Sequence, residues 1–166
     1  MKLLSESRRE FLGRSALVAA TSFLSSDFLS AQQRERPQAL KPDLVEAFVR
    51  AGHVDLDRVK ELLSQEPGLL NASWDWGGGD FEMALGGAGH MGRRDIAEFL
   101  IGQGARMDIF VAAMLGKVEI VESVLGAFPE LKSSKGPHGL TLTFHAQKGG
   151  EAAQKVLKLL QAVGAS

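Results

Sequence analysis

A glycine that recurs at the end of a short apolar helix is the feature that most constrains the fold of this chain. Gly92 and Gly116 each end a run of small and apolar residues, and each is followed by a second run with apolar residues at three- and four-residue spacing. That spacing predicts an amphipathic helix with one buried face. Gly149 fits the same place later in the chain, and Val54 takes it in a degenerate first unit. The sequence therefore predicts about three to four stacked helix pairs.

The second helix of each predicted pair carries an apolar stripe. The stripe residues are Leu56, Val59, Leu62 and Leu63, then Ile96, Phe99 and Leu100, then Val121, Val124 and Leu125, then Val156, Leu159, Leu160 and Val163. One helix pair cannot bury such a stripe, whereas stacked neighbours can. The expected fold is therefore all-α.

The ends of the units carry a resemblance to ankyrin repeats. Ala112-Ala113 with Gly116 matches the first helix and its turn, and Gly104-Ala105 and Gly164-Ala165 match the ends of two units. In the second unit, Met83-Ala84-Leu85-Gly86 stands where the family has Thr-Pro-Leu-His. The ankyrin unit has about 33 residues. The resemblance implies an ankyrin-like solenoid of helix-turn-helix repeats that binds a protein partner, without indicating which one.

The N-terminal region resembles the twin-arginine (Tat) export signal of bacteria. Arg8 and Arg9 follow Ser7, and Phe11-Leu12 comes after the spacer Glu10. The apolar run that follows has about half the length that spanning a bilayer needs, which is typical of a signal segment. An amphipathic N-terminal helix is the alternative.

Ala31 suits the residue before a cleavage site, although Leu29 stands where a second small residue is usual. We expect a signal peptide at 1–31, a flexible linker at 32–42 and a repeat domain at 43–166. The protein is then expected in the periplasm, or tethered to the membrane if the signal is not cleaved.

Composition narrows the classes of function. The chain has 166 residues, a formal net charge of -1 and no cysteine. The charge balance argues against nucleic acid as a partner, and the lack of cysteine excludes disulfides and thiolate chemistry. Motifs for a serine nucleophile, a phosphate loop or a zinc-protease helix are absent. Residues 87–92 fit a dinucleotide fingerprint in form only, because no βαβ unit surrounds them. No enzyme activity and no cofactor are expected.

The loop from Trp74 to Asp80 is the strongest candidate for recognition, because it combines both tryptophans of the chain with three glycines and two acids. Exposed tryptophan is costly unless it covers apolar surface or binds something. The alternative is that the tryptophans attach the loop to the first two units. The candidate binding residues are Trp74, Asp75, Trp76, Asp80, Glu82 and His138.

The four histidines lack the helical spacing that metal ligands usually show. His53 and His90 lie near inter-helix turns, where structural hydrogen bonds are expected, and no metal is expected. His138 lies in a second predicted loop, residues 135–139, which faces the same edge as the 74–80 loop if the stack is regular. If these two loops meet, His138, Asp75, Asp80 and Glu82 would form a metal or acid–base site.

The expected function is a non-catalytic scaffold that binds an unidentified protein, with no nucleic acid and no stable membrane insertion after signal removal. The alternative is a small-ligand or metal-binding enzyme or accessory protein with its site at the 74–80 loop.

Overall fold

The computed structural model describes residues 38–165, and these residues are mostly helical, as the expected all-α class requires. The helices within this range are α1 (Pro42–Val54), α2 (Leu56–Gln65), α3 (Ala84–Met91), α4 (Arg94–Gly102), α5 (Ile109–Met114), α6 (Val118–Ala127), α7 (Leu142–Lys148) and α8 (Gln154–Ala162). Two short strands, β1 (Ser73–Asp75) and β2 (Phe81–Met83), form an antiparallel hairpin. The expected signal peptide at 1–31 and most of the expected linker lie outside the described residues. None of the described helices is both long enough and apolar enough to cross a membrane.

The helices pack in consecutive pairs, and the first helices of successive pairs lie next to each other. Helix α1 packs against α3, α3 against α5, and α5 against α7. Each second helix packs against its own first helix, while α2 also contacts α4 and α6 also contacts α8. Helices α1 and α3 are the first helices of two successive pairs and pack against each other, so their C-terminal ends lie close together.

Glycine is required at two of the predicted turn positions. Gly92 and Gly116 have φ values of 73° and 72°, in the left-handed region that costs other residues energy. A Cβ atom on Gly92 would lie 2.7 Å from the carbonyl oxygen of Lys148, and one on Gly116 would collide with the carbonyl oxygen of Ala152. These turns therefore combine a backbone conformation and a close approach that only glycine permits.

The predicted stripes form the core. Every stripe residue is buried or half-buried. The first apolar cluster lies among α1 to α5 and includes Phe48, Leu62 and Leu100. The second lies among α5 to α8 and includes Val121 and Leu160. The helical period read from the sequence thus predicts which faces are buried.

The predicted loop at residues 74–80 follows a 3₁₀ turn (Pro67–Asn71) and overlaps the first strand of the hairpin. Oδ1 of Asp75 accepts hydrogen bonds from the backbone N–H groups of Gly77 and Gly79. The three glycines at 77–79 all have positive φ. This turn closes the hairpin and places Trp74 opposite Glu82 in the strand register.

Candidate metal centre

Three histidines and one glutamate from distant parts of the chain converge at one point. His53 lies in the last turn of α1, Glu82 in β2, His90 in the last turn of α3, and His138 in the turn before α7. Each offers a nitrogen or oxygen atom, and these four atoms all lie within 4.8 Å of one another. The packing of α1 against α3 brings His53 and His90 together.

The carboxylate of Glu82 is the centre of the group. Its Oε2 lies 3.2 Å from Nε2 of His53 and 3.3 Å from Nε2 of His138, and its Oε1 lies 2.9 Å from Nε2 of His90. The Nε2 atoms of His53 and His90 are 3.1 Å apart. Four ligands at zinc bond lengths of about 2.0–2.1 Å around a tetrahedral ion are about 3.4 Å from one another. The separations therefore fit a single small cation among the four side chains.

Hydrogen bonds on the outer side of two imidazole rings direct their inner nitrogens to the centre. Nδ1 of His53 lies 2.9 Å from the carbonyl oxygen of Val49, and Nδ1 of His138 lies 2.8 Å from Oδ2 of Asp80. Both partners are acceptors, so each Nδ1 carries a proton and donates it outward, and the Nε2 atom of each ring faces the centre. Metal-bound histidines characteristically donate their other N–H to a carbonyl or carboxylate in this way.

Glu82 is buried and ionised. Burial alone would raise the pKa of its carboxyl group, but the close His53, His90 and Trp76 side chains outweigh burial and hold that pKa well below its usual range. Nε1 of Trp76 donates to Oε2 over 2.8 Å. Among the described side chains, Oε1 has no partner with hydrogen-bond geometry, although Nε2 of His90 is close to it. A buried carboxylate oxygen without such a partner is what a bound cation would satisfy.

His138 is held in a strained conformation by Asp80. It is the one non-glycine residue among residues 38–165 with a positive φ, 58°. Oδ1 of Asp80 accepts from the backbone N–H of His138 over 2.9 Å, while Oδ2 accepts from the ring. A left-handed non-glycine residue costs about 1–3 kcal/mol and persists only where its surroundings fix it. The hairpin and the turn before α7 are thus joined at the site.

Glycines of α3 leave space for the cluster. A Cβ atom on Gly87 would lie 2.7 Å from Cε1 and Nδ1 of His53, and one on Gly86 would lie 3.4 Å from Cγ of Glu82. Gly87, the first glycine of the sequence that resembles a dinucleotide fingerprint, therefore lies in α3 and leaves room for the His53 ring.

The structure brings together four of the six binding residues expected from the sequence: Trp76, Asp80, Glu82 and His138. Asp75 instead closes the hairpin turn. Trp74 and Trp76 are both half-buried against the first apolar cluster. This placement corresponds to the alternative in which the tryptophans attach the loop to the neighbouring helices. Trp76 also binds Glu82, so it combines packing with a role at the site.

Sequence reasoning assigned neither His53 nor His90 to this site. Both occupy the last turn of the first helix in successive units, and α1 and α3 pack against each other. Their equivalent places in the predicted helix pairs are the signal in the sequence that could have paired them. His145 lies outside the ligand set. Its Nδ1 bonds to the carbonyl oxygen of Thr141, and burial lowers its pKa.

Comparisons of the chain with protein-family models, with curated proteins and with solved structures found no match in any of the three. The assignment of the site therefore depends on its geometry and chemistry.

Proposed function

We propose that this protein binds one divalent transition-metal ion, with Zn²⁺ as the best match, through His53, Glu82, His90 and His138. The observation that supports this most strongly is the convergence of three imidazole nitrogens and a buried carboxylate within 4.8 Å. Imidazole ligands suit zinc and neighbouring first-row metals, whereas Ca²⁺ and Mg²⁺ take oxygen ligands. The single carboxylate among three imidazoles therefore favours a transition metal.

The ion would connect parts of the chain that are far apart in sequence: the end of α1, the hairpin with α3, and the turn before α7. An ion that binds only the folded chain stabilises it by about 4 kcal/mol when its free concentration is a thousand times Kd. Four protein ligands around a tetrahedral ion are typical of structural sites, whereas catalytic zinc keeps a position open. This ligand count favours a structural ion.

The scaffold in this proposal is a short ankyrin-like solenoid. The side-by-side packing of α1, α3, α5 and α7 supports it, as do the left-handed glycines at two of the turns. The ion would fix the hairpin, which carries both tryptophans and Phe81, whose exposed fraction is 62%. We therefore propose a metal-stabilised binding module. Its protein partner, its lack of enzyme activity, its Tat signal and its periplasmic location stay predictions.

Isothermal titration of the metal-free chain with Zn²⁺ tests the proposal. We expect one ion per chain and a rise in the melting temperature. The variant His138→Gln removes the most exposed ligand, 34% accessible, so it disturbs the core least; we expect its zinc affinity to fall at least about tenfold.

The variant His145→Gln is the matched control, because it removes the histidine outside the ligand set and should keep the stoichiometry. Circular dichroism first confirms that both variants are folded. Absence of stoichiometric zinc binding, or an equal loss of affinity in both variants, would contradict the proposal.

A further inference from the structure

A cavity of about 200 Å³ lies beside the metal centre and is lined by Arg50, His53 and Trp76. Its size corresponds to about six or seven water molecules at their liquid volume. His53 belongs to both the ligand set and the cavity wall, so a molecule in the cavity would lie next to the ion. A larger groove of about 250 Å³, lined mainly by α6 and α8, shares no lining residue with it. That groove offers Lys132, whose ammonium already donates to the carbonyl oxygen of Val163.

The guanidinium of Arg50 is the cationic group in the wall of this cavity that could receive an anion. Its Cζ lies 4.6 Å from the centroid of the Trp76 ring, so the indole supports the planar group on one face. The fork of N–H donors on arginine matches the oxygens of a carboxylate or a phosphate. The same guanidinium also pairs with Glu46, at 2.7 Å. Glu46 therefore competes with any anion that enters the cavity.

The metal ion changes the charge beside the cavity. Without the ion, the carboxylate of Glu82, which contacts the lining residues His53 and Trp76, repels an anion. A divalent ion outweighs this negative charge. Since charges in a partly buried site are weakly screened, an anion should bind only when the metal is present.

We propose that the cavity between Arg50, His53 and Trp76 binds a small oxyanion, the carboxylate or phosphate group of a ligand, and that it does so only in the metal-loaded protein. This inference rests on the proposed metal site and adds a ligand class to it. It makes the chain a metal-dependent receptor for a small anionic molecule or for an anionic group of a larger one.

The experiment uses the chain loaded with Co²⁺, whose visible absorption reports metal binding independently of the anion. Acetate and methyl phosphate are titrated separately into the loaded and the metal-free protein, and binding is followed by calorimetry and tryptophan fluorescence. The two probes distinguish a carboxylate site from a phosphate site. We expect binding of at least one of them to the loaded protein and none to the metal-free protein.

Two substitutions in one ion pair should act in opposite directions. Arg50→Gln removes the anion-binding group and should weaken binding at least about tenfold, while Glu46→Gln frees Arg50 and should strengthen it. Arg58→Gln is the matched control, because Arg58 is also exposed and pairs with Glu61, both of them in helix α2. This variant should bind the anion as the wild type does. All three variants should keep the Co²⁺ spectrum.

Equal binding to loaded and metal-free protein would overturn the inference, and so would wild-type affinity in Arg50→Gln. A normal Co²⁺ spectrum without any anion binding would overturn this inference alone. Absence of a Co²⁺ spectrum would overturn the proposed metal site together with it.

Discussion

Replacing Gly87 by alanine tests whether packing holds the His53 ring as a metal ligand. Gly87 lies in α3, and a Cβ atom there would be 2.7 Å from Cε1 and Nδ1 of that ring and 3.2 Å from its Cγ. Carbon atoms in favourable contact are about 3.5–4.0 Å apart. The ring must therefore retreat by about 1 Å, or the helix must move away from it.

The expected loss of zinc affinity follows from how small a displacement a metal ligand tolerates. Ligand distances in a metal site hold to within about 0.2 Å, so a ring displaced by about 1 Å no longer binds the ion. Its 2.9 Å hydrogen bond to Val49 is lost as well. Disturbing an outer-shell partner alone costs about 10–100-fold in metal affinity. We expect Gly87→Ala to reach or exceed that loss, which corresponds to at least about 1.4 kcal/mol.

Gly126→Ala is the control, because Gly126 lies in helix α6 and a Cβ atom there would meet nothing within 4 Å. Alanine should stabilise that helix by up to about 1 kcal/mol and leave the metal affinity unchanged. The assay is competition with a chelator for Zn²⁺, together with the melting temperature measured with and without the ion. A folded Gly87→Ala protein that binds Zn²⁺ as tightly as the wild type would refute the reasoning, since His53 could then not be a ligand held by α3.

Three further predictions concern the outer shell, the helix caps and pH. Asp80→Ala removes the acceptor of the His138 ring and should weaken zinc binding about 10–100-fold; chelator competition measures this, and an unchanged affinity would contradict the outer-shell role. Asp108→Ala removes the side chain that accepts from the N–H of Val111 at the start of α5. It should cost about 1 kcal/mol in urea unfolding and leave zinc affinity unchanged, and loss of both together would contradict this. The hydrogen bond that protonated His53 donates to Glu82 raises the pKa of His53 in the metal-free chain, so protons should compete with zinc from above pH 6.5 downward. Zinc affinity should fall as pH falls from 8 to 6. An affinity that does not change over that range would contradict the ligand set.

The helices could be predicted from the sequence because their signals are local. Apolar spacing of three and four residues locates each buried stripe, and the turns at Gly92 and Gly116 take the positive φ that favours glycine, which is a local requirement. The hairpin was missed because its strands have three residues each. Such strands are stable through the Asp75 turn and the burial of Glu82, and neither is visible in a short window of sequence.

The site could be predicted only in part, because its ligands belong to different units. The tryptophan loop drew attention to Glu82 and Asp80 through composition, and His138 followed from the idea that loops of a regular stack share an edge. His53 and His90 do not show the spacing within one helix that metal ligands usually have, so that criterion does not identify them. In a stack of helix pairs, residues at equivalent positions one unit apart are neighbours, so the repeat period is the relevant spacing.

The protonation of the cluster itself argues for a cation. Nδ1 of His53 and Nδ1 of His138 donate outward, so the Nε2 atom of each ring faces the oxygens of Glu82. An Nε2 atom without a proton turns its lone pair toward a carboxylate, which is repulsive, and Glu82 is buried, where an unbalanced charge costs several kcal/mol. Protonating one ring relieves one contact. Protonating all three rings beside the single carboxylate would place a net positive charge of about two in a poorly solvated space. One divalent ion instead accepts an electron pair from each ring and from the carboxylate, and so satisfies all four side chains together.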